Sequence, residues 1–345
     1  MRALLLTLTT CLLVLPAHAK YSGGTGEPND PYQIATADDL IALGETPEDY
    51  DKHFILTADI DLDPNFPGRK VFDKAVISPD TDPNDQYFQG RSFTGVFDGN
   101  SHTISHLTIK GKGYLGLFGS LEGGTRACEV RDLGVVDVNI AGSGHNIGGL
   151  VGSNWGTVTQ CYSTGVVSGD DSVGGLVGYN HGGLSQSYSQ TLVNGNERVG
   201  GLAGINAADL TGMGGCVTNC YSTCMVSGHD YVGGLVGYNY DASVWRCYST
   251  AAVRGWWVGG LVGINTGDGM APGEIEASFW DTQTSGVTWG MDGTGKTTAE
   301  MQRAKTFLDS GWDFAGETAN GTEDIWWIDE GKDYPRLWWE LIPEN

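Results

Sequence analysis

Residues 290–297 carry the sequence pattern with the most specific chemistry. They read Gly-Met-Asp-Gly-Thr-Gly-Lys-Thr, the G-x-x-x-x-G-K-T spacing in which backbone amides hold phosphates and the lysine contacts the terminal ones. However, no clear apolar strand precedes Gly290, and fewer than sixty residues follow it, too few for a doubly wound sheet. We therefore predict a glycine-rich loop that leads into a helix, with no nucleotide and no other cofactor.

Two groups of side chains have types that bind metal ions. Asp59, Asp61 and Asp63 alternate, so they share one side of a predicted strand, and His102 and His106 likewise share a face. The residues after Asp63 lack the glycine and the final glutamate of an EF-hand loop, and no histidine lies in an H-E-x-x-H motif. We predict exposed histidines, a solvated or edge-guarding acidic face, and no metal site.

The cysteines follow the internal repeat of the chain. Four of them occupy equivalent repeat positions, namely Cys128, Cys161, Cys220 and Cys247. This predicts a small apolar column in the core, because directly stacked strands give poor disulfide geometry. Cys216 and Cys224 are the better candidates for a disulfide, if one forms.

The repeat itself is marked by the sequence Gly-Gly-Leu. Its leucines are Leu150, Leu176, Leu202, Leu235 and Leu261, with a degenerate copy at Leu117. The spacings from Leu117 onward are 33, 26, 26, 33 and 26 residues, which indicates a 26-residue unit with two seven-residue insertions. Short β-branched and aromatic runs bounded by Gly, Asn and Ser predict two or three strands in each unit. A period of this length is typical of a solenoid, a propeller or another array.

The unit length favours the solenoid, because a propeller blade needs four strands and about 40–45 residues. We predict an all-β fold, a parallel β-helix-like solenoid with short capping helices at both ends. Its coils would stack ~4.8 Å apart, so that each repeat position forms a column. One such column holds the asparagine four residues after each leucine: Asn154, Asn180, Asn206, Asn239 and Asn265. Stacked asparagines can hydrogen-bond along the column, and the paired glycines would permit a bend or a positive φ.

The predicted organisation has four parts. Residues 1–19 read as a secretory signal peptide, with Arg2, an apolar run and an A-x-A cleavage site. Residues 20–110 form an N-terminal cap and the first coils, 111–285 the repeat solenoid, and 286–345 a C-terminal cap made of a helix and a tryptophan-rich segment. Capping boxes at Thr36 and Thr297 begin the two helices, the second of which is expected to run to Leu308. No later apolar stretch is long enough for a transmembrane anchor, so we expect a secreted or cell-surface protein.

The amino-acid composition limits the classes of protein to which the chain can belong. Asp and Glu number 42 against 19 Lys and Arg, a net charge of −23, which excludes a phosphate-binding face for nucleic acid. Hydrophobic residues make up 40 % of the chain, which argues against disorder.

The repeat Gly-Gly-Leu-Val-Gly-x-Asn followed by Cys-Tyr-Ser-Thr resembles the GLUG motif of bacterial extracellular proteins. The best copies lie at residues 147–154, 173–180 and 232–239, and the leader and tail resemble the segments that flank such repeats. The resemblance implies a secreted β-solenoid of surface or adhesin-like type. GLUG repeats also accompany IgA-specific metallopeptidases as accessory segments, and the family supplies no catalytic residues to carry over.

Two hypotheses for the function follow. The favoured one is a non-catalytic structural or adhesion-type binding protein whose flank contacts a glycan or an extracellular protein. Aromatic side chains that could stack on sugars are Trp155, Tyr179, Tyr238 and Tyr240, although the same residues could serve packing. The alternative is a polysaccharide lyase or glycoside hydrolase on the same scaffold. It requires converging carboxylates, and the repeats show no obvious cluster, so we assign no catalytic residue.

Overall fold

The predicted parallel β-helix is confirmed. The computed structural model describes residues 20–341 except 83, 124–127, 209–213, 269–272 and 291, so the predicted signal peptide lies outside the described residues. The chain winds into four parallel sheets, which we name sheets A to D in the order in which one coil visits them. All strand pairs within these four sheets are parallel, as expected for a chain that climbs by one coil at a time.

The strands of each sheet, in chain order, are as follows. Sheet A contains Tyr32–Ile34, His53–Leu56, Val96–Asp98, Glu129–Arg131, Thr157–Thr159, Gly183–Ser185, Cys216–Thr218, Ser243–Trp245 and Ile275–Glu276. Sheet B contains Ile60–Asp61, Thr103–Ser105, Thr108–Gly111, Gly134–Gly142, Tyr162–Ser168, Tyr188–Asn194, Tyr221–Ser222, Val226–Ser227, Tyr248–Ser249, Val253–Arg254, Phe279–Asp281 and Thr294–Lys296. Sheet C contains His145–Ile147, Asp171–Gly174, Glu197–Gly200, Asp230–Gly233 and Val258–Gly259. Sheet D contains Phe118–Glu122, Val151–Trp155, Val177–Asn180, Ala203–Ala207, Val236–Tyr240 and Val262–Thr266.

Each complete coil contributes to all four sheets and has four or five strands, because sheet B is split into two short strands in the later coils, so the expected two or three is wrong. One coil runs through Thr157–Thr159, Tyr162–Ser168, Asp171–Gly174 and Val177–Asn180. The period is as predicted, since Val151 pairs with Val177 and Val177 with Ala203, each 26 residues further on. The extra strand was missed because sheet C is formed by the residues around the paired glycines, which weaken a strand pattern.

The five repeat asparagines form one hydrogen-bonded ladder along sheet D. Each side-chain amide donates Nδ2–H to the Oδ1 of the next, at 2.7 Å from Asn154 to Asn180 and 2.8 Å at each later step through Asn206 and Asn239 to Asn265. The first four are fully buried. A buried amide needs partners for both its groups, and the stack supplies them from identical neighbours.

The repeat glycines are required by close approach of the backbone, and the expected positive φ is wrong for them. A Cβ on Gly178 would lie 2.3 Å from the backbone nitrogen of Ile147, because a sheet C strand of the preceding coil packs directly on sheet D there. Positive φ falls instead on non-glycine residues of sheet C, including Asn146, Ser172 and Arg198 at 57°, 55° and 52°.

The cysteine column lies in the interior. Cys128, Cys161, Cys220 and Cys247 are buried in the main core, and all six cysteines of the described residues are free thiols. Burial raises the pKa of Cys128 to about 12, which suppresses its reactive thiolate. Cys216 and Cys224 do not pair, since the Cys216 thiol faces Thr218 and the Cys224 thiol contacts the Gln190 carbonyl.

The N-terminal end of the stack is closed by helix α1, Ala37–Gly44. Thr36 begins it with the expected capping box to Asp39, and Leu40 and Leu43 are buried against the first coil. A 3₁₀ turn at Pro47–Asp49 follows. Parallel pairing begins with strand Tyr32–Ile34 on His53–Leu56.

The C-terminal segment only partly caps the stack. Trp280 is buried in the core at the last coil, and its Nε1–H donates to the Val287 carbonyl at 3.1 Å, so this part closes the end. Three short helices follow: α2 at Thr282–Ser285, α3 at Thr298–Met301 and α4 at Ala304–Leu308. The single helix expected from Thr297 to Leu308 is therefore wrong. The chain ends with an antiparallel pair, Trp326–Trp327 and Arg336–Leu337, and a 3₁₀ turn at Trp338–Leu341.

The rest of the tryptophan-rich segment, which was expected to close the end, lies along the side of the solenoid. On the outer face of sheet B, Tyr162, Tyr188, Tyr221 and Tyr248 stack with ring centroids 4.8–5.0 Å apart. Trp339 covers the Tyr188 ring and donates its indole N–H to the Gln186 carbonyl. The segment thus forms a second core with the tyrosines.

Removing one rung of the asparagine ladder should destabilise the fold. Asn206→Ala leaves the Asn180 amide and the Asn239 carbonyl without their partners, at a cost of about 2–4 kcal/mol in the free energy of unfolding. Chemical denaturation measures this. Asn196→Ala, at an exposed turn, is the control and should change it by less than about 0.5 kcal/mol. Equal effects of the two variants would contradict the role of the ladder.

A matched pair of glycines tests the close approach. Gly178→Ala should lower the free energy of unfolding by about 2 kcal/mol or more, because its Cβ would meet backbone at 2.3 Å. Gly183→Ala meets only the Thr157 side chain at 3.8 Å and should be neutral or slightly stabilising. Thermal unfolding of the two variants distinguishes them, and a stable Gly178→Ala protein would refute the packing of sheet C on sheet D.

Candidate functional site

A groove lies on the outer faces of sheets C and D. Its volume is about 610 Å³, within the range of ligand sites. Four successive coils form its floor, which at ~4.8 Å per coil makes it about 14 Å long. A loop from the unrepeated part of the chain forms one wall, through Gln86, Tyr87, Phe88 and Ser92. We call its described residues, 78–82 and 84–92, the 78–92 loop. The groove is therefore built jointly by the repeat and by an insertion.

Two of the predicted stacking aromatics lie in this groove. Trp155 ends its sheet D strand on the outer face and is 48 % exposed, while Tyr179 stands one coil further on. Their ring centroids are 6.1 Å apart with planes inclined by 27°, and the His181 ring stacks on Trp155 at 4.0 Å. The indole N–H of Trp155 donates to the Ser153 hydroxyl at 3.1 Å, which fixes the ring orientation. The Trp155 side chain is thus held on a rigid strand and remains about half exposed, so it can contact a ligand in the groove.

An ion pair from sheet C borders the same floor. The Arg198 guanidinium donates through Nε to Asp171 Oδ1 at 2.6 Å and through Nη2 to Oδ2, a two-point contact. The pair lies one coil apart on neighbouring strands, and both side chains line the groove. The neighbouring carboxylate raises the pKa of Arg198 against the effect of desolvation, so the guanidinium stays charged.

The 78–92 loop is held on the solenoid by directed contacts. The Tyr114 hydroxyl and His145 Nε2 both donate to the Gln86 carbonyl, at 3.1 and 2.9 Å. Since a carbonyl only accepts, His145 carries a proton on Nε2. The ring of Phe88 packs on Tyr114 at 5.3 Å, edge to face. These contacts set the width of the groove. The sequence analysis missed this loop, because nothing in a non-repeated segment indicates where it folds.

The other two predicted aromatics lie on the same sheet beyond the groove. Tyr238 follows Tyr179 and Ile205 in one outward column of sheet D, and Tyr240 stands beside it with ring centroids 6.2 Å apart. The Tyr240 hydroxyl donates to Asp268, and this hydrogen bond raises the pKa of Tyr240 to about 12. The four aromatics thus share one face but do not form a single cluster.

Comparison with known proteins identifies the repeat. The GLUG motif matches residues 143–168 and 228–254. These two stretches are GLUG motifs. Halomucin of Haloquadratum walsbyi is 30 % identical over 154 residues, which is 43 % of this chain and 2 % of that protein. A candidate Gly-rich membrane protein of Evansella cellulosilytica is 42 % identical over 78 residues, 23 % of this chain and 8 % of that one. The chain therefore matches only a small part of each relative.

A solved structure shares the fold of this GLUG-repeat chain. It is that of a candidate immunoglobulin A1 protease from Bacteroides ovatus, with a TM-score of 0.59 and 17 % identity over 92 % of this chain and 95 % of that one. At this level of identity the similarity concerns the fold. The GLUG repeat and the parallel β-helix both fit a surface-type protein.

Within each repeat, the residues that point into the solenoid vary less in type than the residues that point outward. The buried Leu, Val and Asn positions repeat with little change, whereas one outward column of sheet D reads Ser120, Ser153, Tyr179, Ile205 and Tyr238. Inward positions are constrained by their stacked neighbours, and outward ones are free to differ. The outward columns are therefore where a ligand would be distinguished.

The nucleotide-like segment folds as part of the last coil. Thr294–Lys296 pairs with Phe279–Asp281, and the Lys296 ammonium lies 5.9 Å from the Phe279 ring centroid. The amides that a phosphate would need already have partners: Thr297 N–H donates to Glu300 Oε2 at 2.8 Å and Thr298 N–H to Gln283 Oε1 at 2.9 Å. The geometry is that of a capped helix start.

The aspartates and histidines singled out from the sequence face each other in pairs. His102 Nδ1 lies 3.3 Å from Asp59 Oδ1, and His106 Nδ1 lies 2.9 Å from Asp61 Oδ1. Among the described residues no three His, Cys, Asp or Glu side chains converge as metal ligands do. Every helix in the described part of the chain is too short or too polar to span a membrane.

The hydrogen bond that His106 donates to the Asp61 carboxylate raises the pKa of His106 above its ordinary value, and nearby Asp137 and Asp63 add to the effect. The charged pair therefore stabilises the fold at low pH, and this contribution is lost as pH rises through the raised pKa. An NMR titration should show His106 titrating above 6.5. Asp61→Asn should lower that pKa, while Asp63→Asn, the control, should change it little. An unshifted His106 would contradict the pairing.

Proposed function

We propose that this protein is a secreted or cell-surface adhesion-type binding protein, without catalytic activity, whose groove binds a glycan. The carrying observation is the half-exposed side chain of Trp155 beside Tyr179 on the floor of a 610 Å³ groove. Sugar rings present flat C–H faces that aromatic rings bind well, and a rigid β-sheet holds the rings without loss of conformational entropy on binding.

The charges in the groove support binding over catalysis. Of its two carboxylates, Asp171 is held by Arg198. Glu122 lies on sheet D, in register with Trp155, whereas Asp171 lies on sheet C. Acid–base cleavage of a glycosidic bond requires two carboxyl groups that flank the bond. The surface location is supported by the GLUG repeats and by the acidic composition, which keeps a protein soluble.

Removing the stacking ring tests the binding site. An array of polysaccharides identifies a ligand, and isothermal titration calorimetry then compares variants. Trp155→Ala should weaken affinity about tenfold or more, as loss of a central aromatic contact does. Trp245→Ala is the control, since that tryptophan is 37 % exposed on sheet A, away from the groove. Equal effects of the two variants would place the glycan elsewhere.

The enzymatic alternative is tested on the same ligands. Incubation with each polysaccharide should release no reducing ends and no unsaturated uronate that absorbs in the ultraviolet. Release that disappears in Glu122→Gln would establish a hydrolase or lyase in the groove and overturn the non-catalytic proposal.

A further inference from the structure

The charge of the groove constrains its ligand. Its charged lining residues are Glu122, Asp171 and Arg198, and the arginine is matched by its aspartate partner. The whole chain carries a net charge of −23, so an anionic polymer meets repulsion and finds no uncompensated cation on this floor. This separates the groove from sites for acidic polysaccharides, which need free Arg or Lys.

The ion pair is placed to contact a ligand. Arg198 and Asp171 side chains remain 34 % and 25 % exposed, and the pair uses only Nε and Nη2 of the guanidinium. A carboxylate beside a guanidinium presents acceptors and donors in one plane. Adjacent hydroxyl groups on a sugar ring match that plane, since each hydroxyl both donates and accepts.

The backbone at Arg198 is also unusual. Its φ is 52°, and the equivalent residues of the neighbouring coils, Asn146, Ser172 and Tyr231, have φ of 57°, 55° and 55°. Positive φ is uncommon for non-glycine residues. The three residues Asn146, Ser172 and Arg198 all line the groove, and each precedes an inward Ile or Val that the repeat keeps. The fold thus presents one variable side chain per coil to the groove from a fixed backbone.

We propose that the groove binds an uncharged oligosaccharide, stacked on Trp155 and Tyr179, whose neighbouring hydroxyl groups are recognised by the Asp171–Arg198 pair. This rests on the proposed glycan-binding function and specifies its substrate class. Asp171 accepts hydrogen bonds from the hydroxyls and Arg198 donates to them. Only a ligand with two suitably placed hydroxyl groups can make both contacts. Arg198 is then a specificity-determining residue, together with the positive-φ residues of the adjoining coils.

The test compares neutral and acidic ligands on the full chain. Calorimetry is run with neutral oligosaccharides from β-glucan, xylan and mannan, and with acidic ones from polygalacturonate and alginate. We expect a neutral ligand to bind with a Kd that does not change between about 0.05 and 0.5 M NaCl, because screening affects only charged partners. Asp171→Asn and Arg198→Gln should each weaken binding about tenfold to a hundredfold.

Controls separate recognition from folding. Asp230 occupies the same register position of sheet C as Asp171, two coils further on and outside the groove, so Asp230→Asn should leave the Kd unchanged. Arg198→Lys keeps the charge beside Asp171 but loses the planar fork, and should weaken neutral binding while its thermal unfolding stays near that of the parent.

The outcomes distinguish the two proposals. Tight, salt-sensitive binding of an acidic oligosaccharide that requires Trp155 would leave the glycan-binding function intact and overturn the substrate class. Neutral binding that requires Trp155 but is unchanged in Asp171→Asn, Arg198→Gln and Arg198→Lys would overturn the role of the ion pair. Failure of every carbohydrate to bind would overturn the proposed function, and the substrate class with it.

Discussion

The structure depends on one constraint, which is that every coil must hydrogen-bond in register with the coil before and after it. Because the coils pair in register, residues at the same repeat position form a column. Additional residues can be accommodated only in the connections between strands. The longer spacings obey this rule: Leu184 pairs with Val217 although 33 residues separate them, because the extra residues fall in the sequence between the strand that ends at Ala207 and the strand that begins at Cys216. The strand ladders therefore continue unbroken across the insertions.

Columns of identical residues then solve the problem of buried polar groups. A buried asparagine without hydrogen-bond partners destabilises a fold, whereas the five stacked asparagines act as partners for each other. The last of them, Asn265, donates its side-chain amide to Asp292 Oδ1 at 3.2 Å. The cysteine column is the apolar counterpart, where small side chains fill a narrow interior. Glycine columns complete the set by letting sheet C rest on the backbone of sheet D. Uniform columns inside leave variation to the outside, and the groove is formed there.

On the outer face of sheet B, a column of outward side chains is covered by another part of the chain. Its stacked tyrosines would expose a long aromatic strip, and the C-terminal tryptophans bury it. On sheet D, by contrast, Trp155 remains exposed to solvent beside the 78–92 loop. The same kind of repeat position thus serves packing on one face and a candidate binding surface on another.

The sequence by itself determined the repeat, the parallel β-helix and the residues of the asparagine and cysteine columns, because stacking makes residues one period apart neighbours. The same rule places Asp171 beside Glu197, one period on, and did not predict the contact of Asp171 with Arg198, the next residue. Only the tertiary structure decided which aromatic rings are open, that the C-terminal segment lies along the side, and that the 78–92 loop makes a groove. These features depend on contacts between residues whose separation in the sequence is unrelated to the repeat length. Trp339 donates a hydrogen bond to the Gln186 carbonyl, and His145 donates one to the Gln86 carbonyl. Their contacts depend on how faces and loops pack in space, which no periodicity records.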